Sequence, residues 1–313
     1  MKTPKYFICP MSKLITDSVI ELNSDKFGLL PTRRQIDWDG GYVNGWNTKD
    51  FYEYVRSKSS IVLERDHAGP LQGNDFDSGY ISYTHDSDLF DIIHIDPWRI
   101  MDLSLLEGSQ KTANAIKYLY YLNPNIKYEI GTEQSIWYFS AKALKEFLKN
   151  VIFEISPVQF NNIEYVVIQS GVKLDLVNRK NIGVYDDDRL KSMIEVVKLY
   201  GKKCKEHNGD YLSNEELDLR FECGVDSINI GPEIAQIQTL TYLDHMSDEQ
   251  IDEFYEICFQ SKKWEKWVDE QFDIDDKRKM IQVCGHYCFH LYDLPKIDDE
   301  IKENIKKKLN SLP

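Results

Sequence analysis

Short apolar runs and amphipathic stretches alternate along the first three quarters of the chain. Phe27–Leu30, Ser60–Leu63, Asp91–Ile95, Lys127–Ile130, Tyr165–Gln169, Lys203–Glu206 and Ser227–Ile230 read as strands. Between them, Thr48–Lys58, Leu105–Tyr121, Ser140–Val151, Asp187–Gly201 and Asn214–Cys223 carry apolar residues at helical spacing. The start of the last is marked by Ser213 and Glu216, a capping box. Strands alternating with helices predict βαβ units and a parallel sheet. A repeat of roughly 30–40 residues per unit fits an α/β fold of the TIM (β/α)8 barrel type, which takes about 250 residues.

The residues that follow each strand carry the chemistry. They are Arg33 and Gln35, Asp66 and His67, Asp96, Glu133, Gln169 and Lys173, His207 and Asn208, then Pro232 and Glu233. In a parallel barrel these positions share the carboxyl face, where barrel active sites lie. After Met246 the pattern changes to helix-like segments, Ser247–Ser261, Trp264–Gln271, Lys277–Leu291 and Ile301–Leu309. No Gly/Ser linker intervenes. The expected organisation is therefore a barrel over residues 1–245 and a helical C-terminal extension, 246–313, packed on it.

Composition narrows the partners. The 313 residues carry a formal net charge of −14, which argues against nucleic acid, since phosphate backbones need a basic surface. A small anionic ligand needs only a few local cations and stays open. Six scattered cysteines show no disulfide framework, no apolar run reaches the ~18 residues of a membrane span, and the N-terminus lacks a signal-peptide core. The expectation is a cytoplasmic protein with reduced thiols and no membrane partner. G-x-G-x-x-G after a strand, Walker A and G-x-S-x-G are all absent, which removes the usual nicotinamide, nucleotide and serine-hydrolase readings.

Three segments stand out. In Ile61–Pro70 a strand ends in Asp66-His67 before Gly69-Pro70, which sets a carboxylate beside an imidazole at the barrel mouth. Glu206, His207, Asn208 and Asp210 crowd the end of another strand, where a second metal ligand and polar substrate contacts could sit. Glu133 follows Ile130-Gly-Thr and could bind a metal or act as a base. By contrast, the alternating Cys284, His286, Cys288 and His290 fall on an expected helix, where positions two apart point away from each other, so a packed core is expected there. His94 reads as a buried, hydrogen-bonded histidine, and Asp96, on the same strand face, as a modest site candidate.

These segments resemble a known family. Asp39-Gly-Gly-Tyr-Val-Asn-Gly-Trp-Asn-Thr-Lys-Asp-Phe51 resembles the "GGYTGxTPxDF" segment of the class II tagatose-bisphosphate aldolase accessory-subunit family, which also contains tagatose 6-phosphate 4-epimerases. Seven further segments resemble the family's in the same order. They are Arg34–Gly41, Leu63–Pro70, Ile93–Asp96, Ile130–Glu133, Gln169–Asp175, Glu206–Tyr211 and Ile228–Pro232. The resemblance implies a TIM barrel akin to class II aldolases. It implies Asp66 as the barrel-mouth aspartate, His67 and His207 as metal-site histidines, and Glu133 as the acidic strand-end residue. Lys173 replaces the family's glutamate and Ser170 its proline, and this chain is shorter than typical members. With Arg33 and Arg34, the added cations suit a more anionic ligand.

The reading that follows is a metal-dependent epimerase of retro-aldol/aldol type, acting on a ketose phosphate or related anionic sugar. A divalent ion, zinc first and manganese or magnesium otherwise, would be held by His67, His207 and Glu133. Asp66 would move the proton on the carbinol oxygen, with Glu133 its partner where both faces need one. Arg33, Gln35, Asp96, Gln169, Lys173, Glu206, Asn208 and Asn229 are the expected substrate contacts. The alternatives are a non-catalytic partner of an aldolase catalytic subunit, as the family was first described, or an aldolase that releases its fragments. A homo-oligomer stays open.

Overall fold

A computed structural model describes residues 3–74, 76–100, 103–131 and 140–313. Within them, eight parallel strands close into a barrel. They are β1 (Tyr6–Ile8), β2 (Phe27–Leu29), β3 (Val62–Ala68), β4 (Ile92–Ile95), β5 (Lys127–Ile130), β6 (Ile163–Ile168), β9 (Lys203–Glu206) and β10 (Ser227–Ile230). Between β6 and β9 a small antiparallel ribbon, β7 (Leu174–Asp175) with β8 (Lys180–Asn181), stands apart. The barrel order is β1-β10-β9-β6-β5-β4-β3-β2. The chain is thus a TIM barrel with a helical C-terminal extension.

Seven strands fall where the apolar runs predict them. The eighth, β1, is three residues long, too short to show a pattern, yet it closes the ring by pairing Phe7 with Asn229 on one side and Gly28 on the other. Gly28 is glycine for a reason of space, because a Cβ there would come within 2.6 Å of the Phe7 ring. Phe7, Leu30, Ile92 and Tyr165 form an inner cluster, while the larger apolar core lies between the strands and the surrounding helices.

The extension departs from the sequence expectation in two places. The helix predicted over Lys277–Leu291 stops at Cys284 and continues as short 3-10 turns from Gly285. Gly285 is the weak point of that helix, and it packs closely, with room for a Cβ only 3.1 Å from Thr239. Trp264–Gln271 yields a single 3-10 turn, Glu265–Trp267. Its indoles serve other elements: Trp264 stacks on Phe259, and Trp267 Nε1 donates to the Tyr287 hydroxyl at 3.3 Å. The last helix, Asp298–Ser311, lies against the helix Lys13–Glu21, where Lys302 and Lys306 both pair with Glu21. No helix among the described residues is long and apolar enough to cross a membrane.

Candidate metal centre and active site

Strict alternation along β3 would turn His67 away from the side to which Asp66 points. It does not, because the pairing of β3 with β4 slips between Arg65 and Ala68 and His67 takes a left-handed φ of 45°. Such a bulge re-aims a side chain, and strain of this kind persists only where the surroundings enforce it. Arg65 supplies much of the enforcement. Wholly buried, it forms a two-pronged ion pair with Asp86 and donates to the Pro31 and Ile36 carbonyls, clamping the loop after β2 onto β3. Gly69 then passes so close to Asp96 that a Cβ would lie 2.5 Å from its carbonyl oxygen.

The result is a cluster of Asp66, His67, His94 and His207 whose ligand atoms all lie within 4.8 Å of one another. The three imidazole rings stand 5.0–5.4 Å apart. Each histidine is anchored through one nitrogen. His67 Nδ1 meets Asp96 Oδ2 at 2.7 Å, His207 Nε2 meets Glu129 Oε1 at 2.6 Å, and His94 Nε2 meets the Gly131 carbonyl at 3.2 Å. Because each partner is an acceptor, each of those nitrogens carries the proton, and the other nitrogen offers a lone pair. Two of these lone pairs face Asp66 Oδ1, from His94 Nδ1 at 3.3 Å and His67 Nε2 at 3.7 Å.

Imidazole acceptors gathered beside a carboxylate suit a cation bound at the rings with Asp66 next to it. Outer carboxylates and carbonyls that fix the histidine tautomers are what a metal site requires. Donors about 2.1 Å from a common ion lie no more than roughly 4.2 Å apart, so the set needs to close by a few tenths of an ångström. The residues fit a divalent ion. Burial works to raise the Asp66 pKa, but with protonated histidines the charge of His67, a hydrogen bond from His94 and the charge of His207 outweigh it and hold the carboxyl below the usual range, the part a cation would take with neutral rings.

Inside the barrel, Lys205 bridges Glu64 at 2.5 Å and Glu129 at 2.7 Å, all three wholly buried. The Lys205 ammonium also lies 3.8 Å from the centre of the Phe7 ring. Burial pushes both carboxyls up, but Glu129 faces Lys205 and two histidines and is driven well below the ordinary range, whereas Glu64 stays well above it. Glu129 is therefore the ionised member that orients His207. Replacing it with glutamine is expected to weaken divalent-metal affinity about 10–100-fold, as for other outer partners, measured by competition with a chromophoric chelator. An unchanged affinity would remove Glu129 from the site.

A cavity of about 220 Å³ opens above the cluster, and its walls include Arg34, Gln35, Asp66, His67, His207, Asn208, Asn229 and, from the extension, Lys266, Trp267 and Tyr287. Of the expected contacts, Gln35, Asn208 and Asn229 line it. Asn229 is nearly buried, and both its amide atoms lack a partner among the described residues, which is how a ligand contact looks without its ligand.

Among the described residues, the remaining expected contacts do not line this cavity. Arg33 is buried against Asp37, Asp77 and the Gly69 carbonyl, so its charge is spent on folding the loop, and Arg34 takes the place at the mouth. Glu206 is wholly buried, with Arg220 at 2.8 Å and the Ser170 amide on its carboxylate. Asp96 sits behind His67, held by Gln72 and the Trp98 amide, and touches the histidine rather than the cavity. Gln169 is buried outside the lining, and Lys173 lines an adjoining cavity that shares Asn208, Lys266 and Trp267. Glu133 lies outside the described residues. The Cys284–His290 stretch gathers no metal-ligand group among the described residues, where the Asp66 cluster is the one present.

His94 and Glu129 are the residues that sequence reasoning missed. Their signal was available as a charged or polar side chain in the middle of a buried strand, as in Tyr-Glu-Ile and Ile-His-Ile, and Lys205 has the same signature.

Asp210 accepts from the Gly231 and Glu233 amides at 2.9 and 2.7 Å, at the start of the helix Pro232–His245. Burial, then the charge of Glu233, pushes its carboxyl up to about 7. The folded state thus holds this proton more tightly than the unfolded chain does, and the associated stability is lost as pH rises from about 4 to about 7. Asp210→Asn keeps an acceptor and is expected to flatten that loss. The gain at pH 8 should be on the order of 1–3 kcal/mol, read from urea midpoints at pH 5 and 8.

No family model matches the chain. A thiamine-phosphate synthase of Prochlorococcus marinus is 30% identical over 123 residues, 38% of this chain, and the match spans only 33% of that relative's length. Among solved structures, the chain is similar to a "probable tagatose 6 phosphate kinase" of Sinorhizobium meliloti, with a TM-score of 0.73 at 18% identity, covering 98% of this chain and 88% of that one. It is similar to a fructose-bisphosphate aldolase of Campylobacter jejuni, with a TM-score of 0.58 at 13% identity and coverage of 98% and 88%. It is also similar to the fructuronate-tagaturonate epimerase of Cohnella laeviribosi, with a TM-score of 0.61 at 8% identity and coverage of 99% and 78%. At these identities the likeness shows the fold, a barrel shared with sugar aldolases and a sugar epimerase.

Proposed function

We propose that the protein is a divalent-metal-dependent enzyme that epimerises an anionic sugar, a ketose phosphate in the first instance, by retro-aldol cleavage and re-addition. The observation that carries this reading is the anchored triad His67, His94 and His207 around Asp66 at the carboxyl end of a barrel. The resemblance of eight ordered segments to the tagatose-bisphosphate aldolase accessory-subunit and epimerase family supports it, as does the fold shared with aldolases and an epimerase.

Three imidazoles favour zinc over magnesium. When bound, such an ion supplies Lewis-acid polarisation of the substrate ketone and stabilises the negative charge that develops on its oxygen. The remaining steps belong to the chain's own residues. Asp66 takes the proton from the hydroxyl on the carbon β to the ketone. The bond between the α and β carbons then breaks, leaving an aldehyde and an enediolate whose charge is carried on oxygen. Asn229, with donor and acceptor both unspent, is placed to hold sugar hydroxyls, and the cavity walls keep the fragments together. The aldehyde rotates, the carbon–carbon bond reforms on its other face, and Asp66 returns the proton to the new alkoxide. Bonds and protons balance, with no external oxidant.

The test is metal content of the purified protein followed by a screen of ketose phosphates for epimerisation, with a triose trap present. Near-stoichiometric zinc and an epimerised product without trapped triose support the proposal. Trapped triose would make the protein an aldolase that releases its fragments. Absence of metal and of turnover would leave the partner-subunit reading, to be followed by capture of an aldolase catalytic subunit.

A further inference from the structure

The chain has 52 acidic residues against 38 basic ones, yet three cations at the cavity wall, Arg34, Arg99 and Lys266, form no ion pair among the described residues. Their neighbour Arg33 shows the usual outcome, with Asp37 and Asp77 both on its guanidinium. Among the described residues the Arg34 side chain makes only a long hydrogen bond, Nε to the Gly73 carbonyl at 3.5 Å. Lys266 comes from the extension, its ammonium held over the Trp267 and Tyr287 rings at 4.6 and 5.2 Å. Packed aromatic faces position that charge without neutralising it.

Like charges brought together with no ion-paired acid among the described residues are unfavourable by themselves and are relieved by an anion. The cluster shares the cavity with the orphaned Asn229 amide and with Asp66, His67 and His207. We propose that Arg34, Arg99 and Lys266 form a subsite for a phosphate monoester dianion on the substrate, so that the C-terminal extension completes the substrate site of the barrel. This rests on the reading of the Asp66 cluster as the place where the sugar reacts. Three full charges match a phosphate dianion better than a single carboxylate, and guanidinium forks suit its oxygens.

Packing around its ammonium, then Arg34, Lys263 and Arg99, push Lys266 down to about 8. Arg34 is likewise lowered, by desolvation and then by Arg99.

The experiment titrates the full-length protein with inorganic phosphate by calorimetry, as purified and again after chelation so that binding at the ion does not contribute. Phosphate is expected to bind in both, more weakly as salt rises. Arg99→Ala and Lys266→Ala should each weaken it about tenfold, in line with the loss of one charge-assisted hydrogen bond. Lys266→Arg should restore it. Arg99 and Lys266 are both exposed, so neither variant threatens the fold. No phosphate binding by the wild type, or equal binding by the Arg99→Ala/Lys266→Ala double variant, would overturn the subsite. So would acetate competing as well as phosphate, which would point to a carboxylate instead. The two readings fail separately. Metal retained with phosphate binding absent sinks only the subsite, and phosphate binding retained with no metal sinks only the aldolase-type reading.

Discussion

Asp66→Asn is expected to keep its metal and lose about 10²–10⁴-fold in turnover, the range for removing a positioned general acid–base group. His94→Ala is expected to lose both. The contrast follows from the different work of the two residues. His94 Nε2 is tied to the Gly131 carbonyl, so its other nitrogen faces the cluster as an acceptor, with the His67 amide N–H 3.3 Å away. Its removal leaves two imidazoles where a metal site of this kind uses three protein ligands and one open position. Asp66 stands among the histidines with its carboxyl held below the usual range, and so ionised. Asparagine copies its shape and its acceptor oxygen but cannot move a proton. Metal analysis and turnover measured on the same two preparations decide the matter. If Asp66→Asn also loses the metal, Asp66 is a ligand and the proton must be moved by another group.

Lys205→Met should destabilise the fold by about 3–5 kcal/mol, the cost of leaving buried charge without its partner. Lys205 bridges Glu64 and Glu129 in the barrel interior, and all three are wholly buried. Without the ammonium, both carboxyls would be pushed up by burial and by each other. Their folded pKa values would then exceed the unfolded ones, so the variant should lose stability as pH rises past the ordinary carboxylate range. Urea unfolding at pH 5 and pH 8 should show the larger deficit at pH 8. Lys205→Met combined with Glu64→Leu should recover part of it, because replacing buried ions with apolar groups is far less costly than removing one partner. A Lys205→Met protein as stable as wild type at both values would mean that water reaches this layer.

The chain's own order of apolar runs and amphipathic helices determined the barrel, because strand and helix periods are local properties that single segments display. It likewise placed Asp66, His67 and His207 at strand ends, and the parallel topology brings all such ends to one face. The tertiary structure decided what distance in sequence conceals. β1, three residues long, earns its place only by pairing with strands at both ends of the barrel's chain order. His94 and Glu129 look like isolated polar residues in buried strands until closure sets them beside His67 and His207. Arg33 and Glu206 read as pocket residues because they follow or end strands, yet local ion pairs with Asp37 and Arg220 bury them. Lys266 lies far along the chain from Arg34 and reaches the same cavity only because the extension folds back over the mouth. Sequence fixes which residues sit on the carboxyl face. Whether a charge there meets a ligand or another side chain depends on neighbours that only the closed barrel and its extension supply.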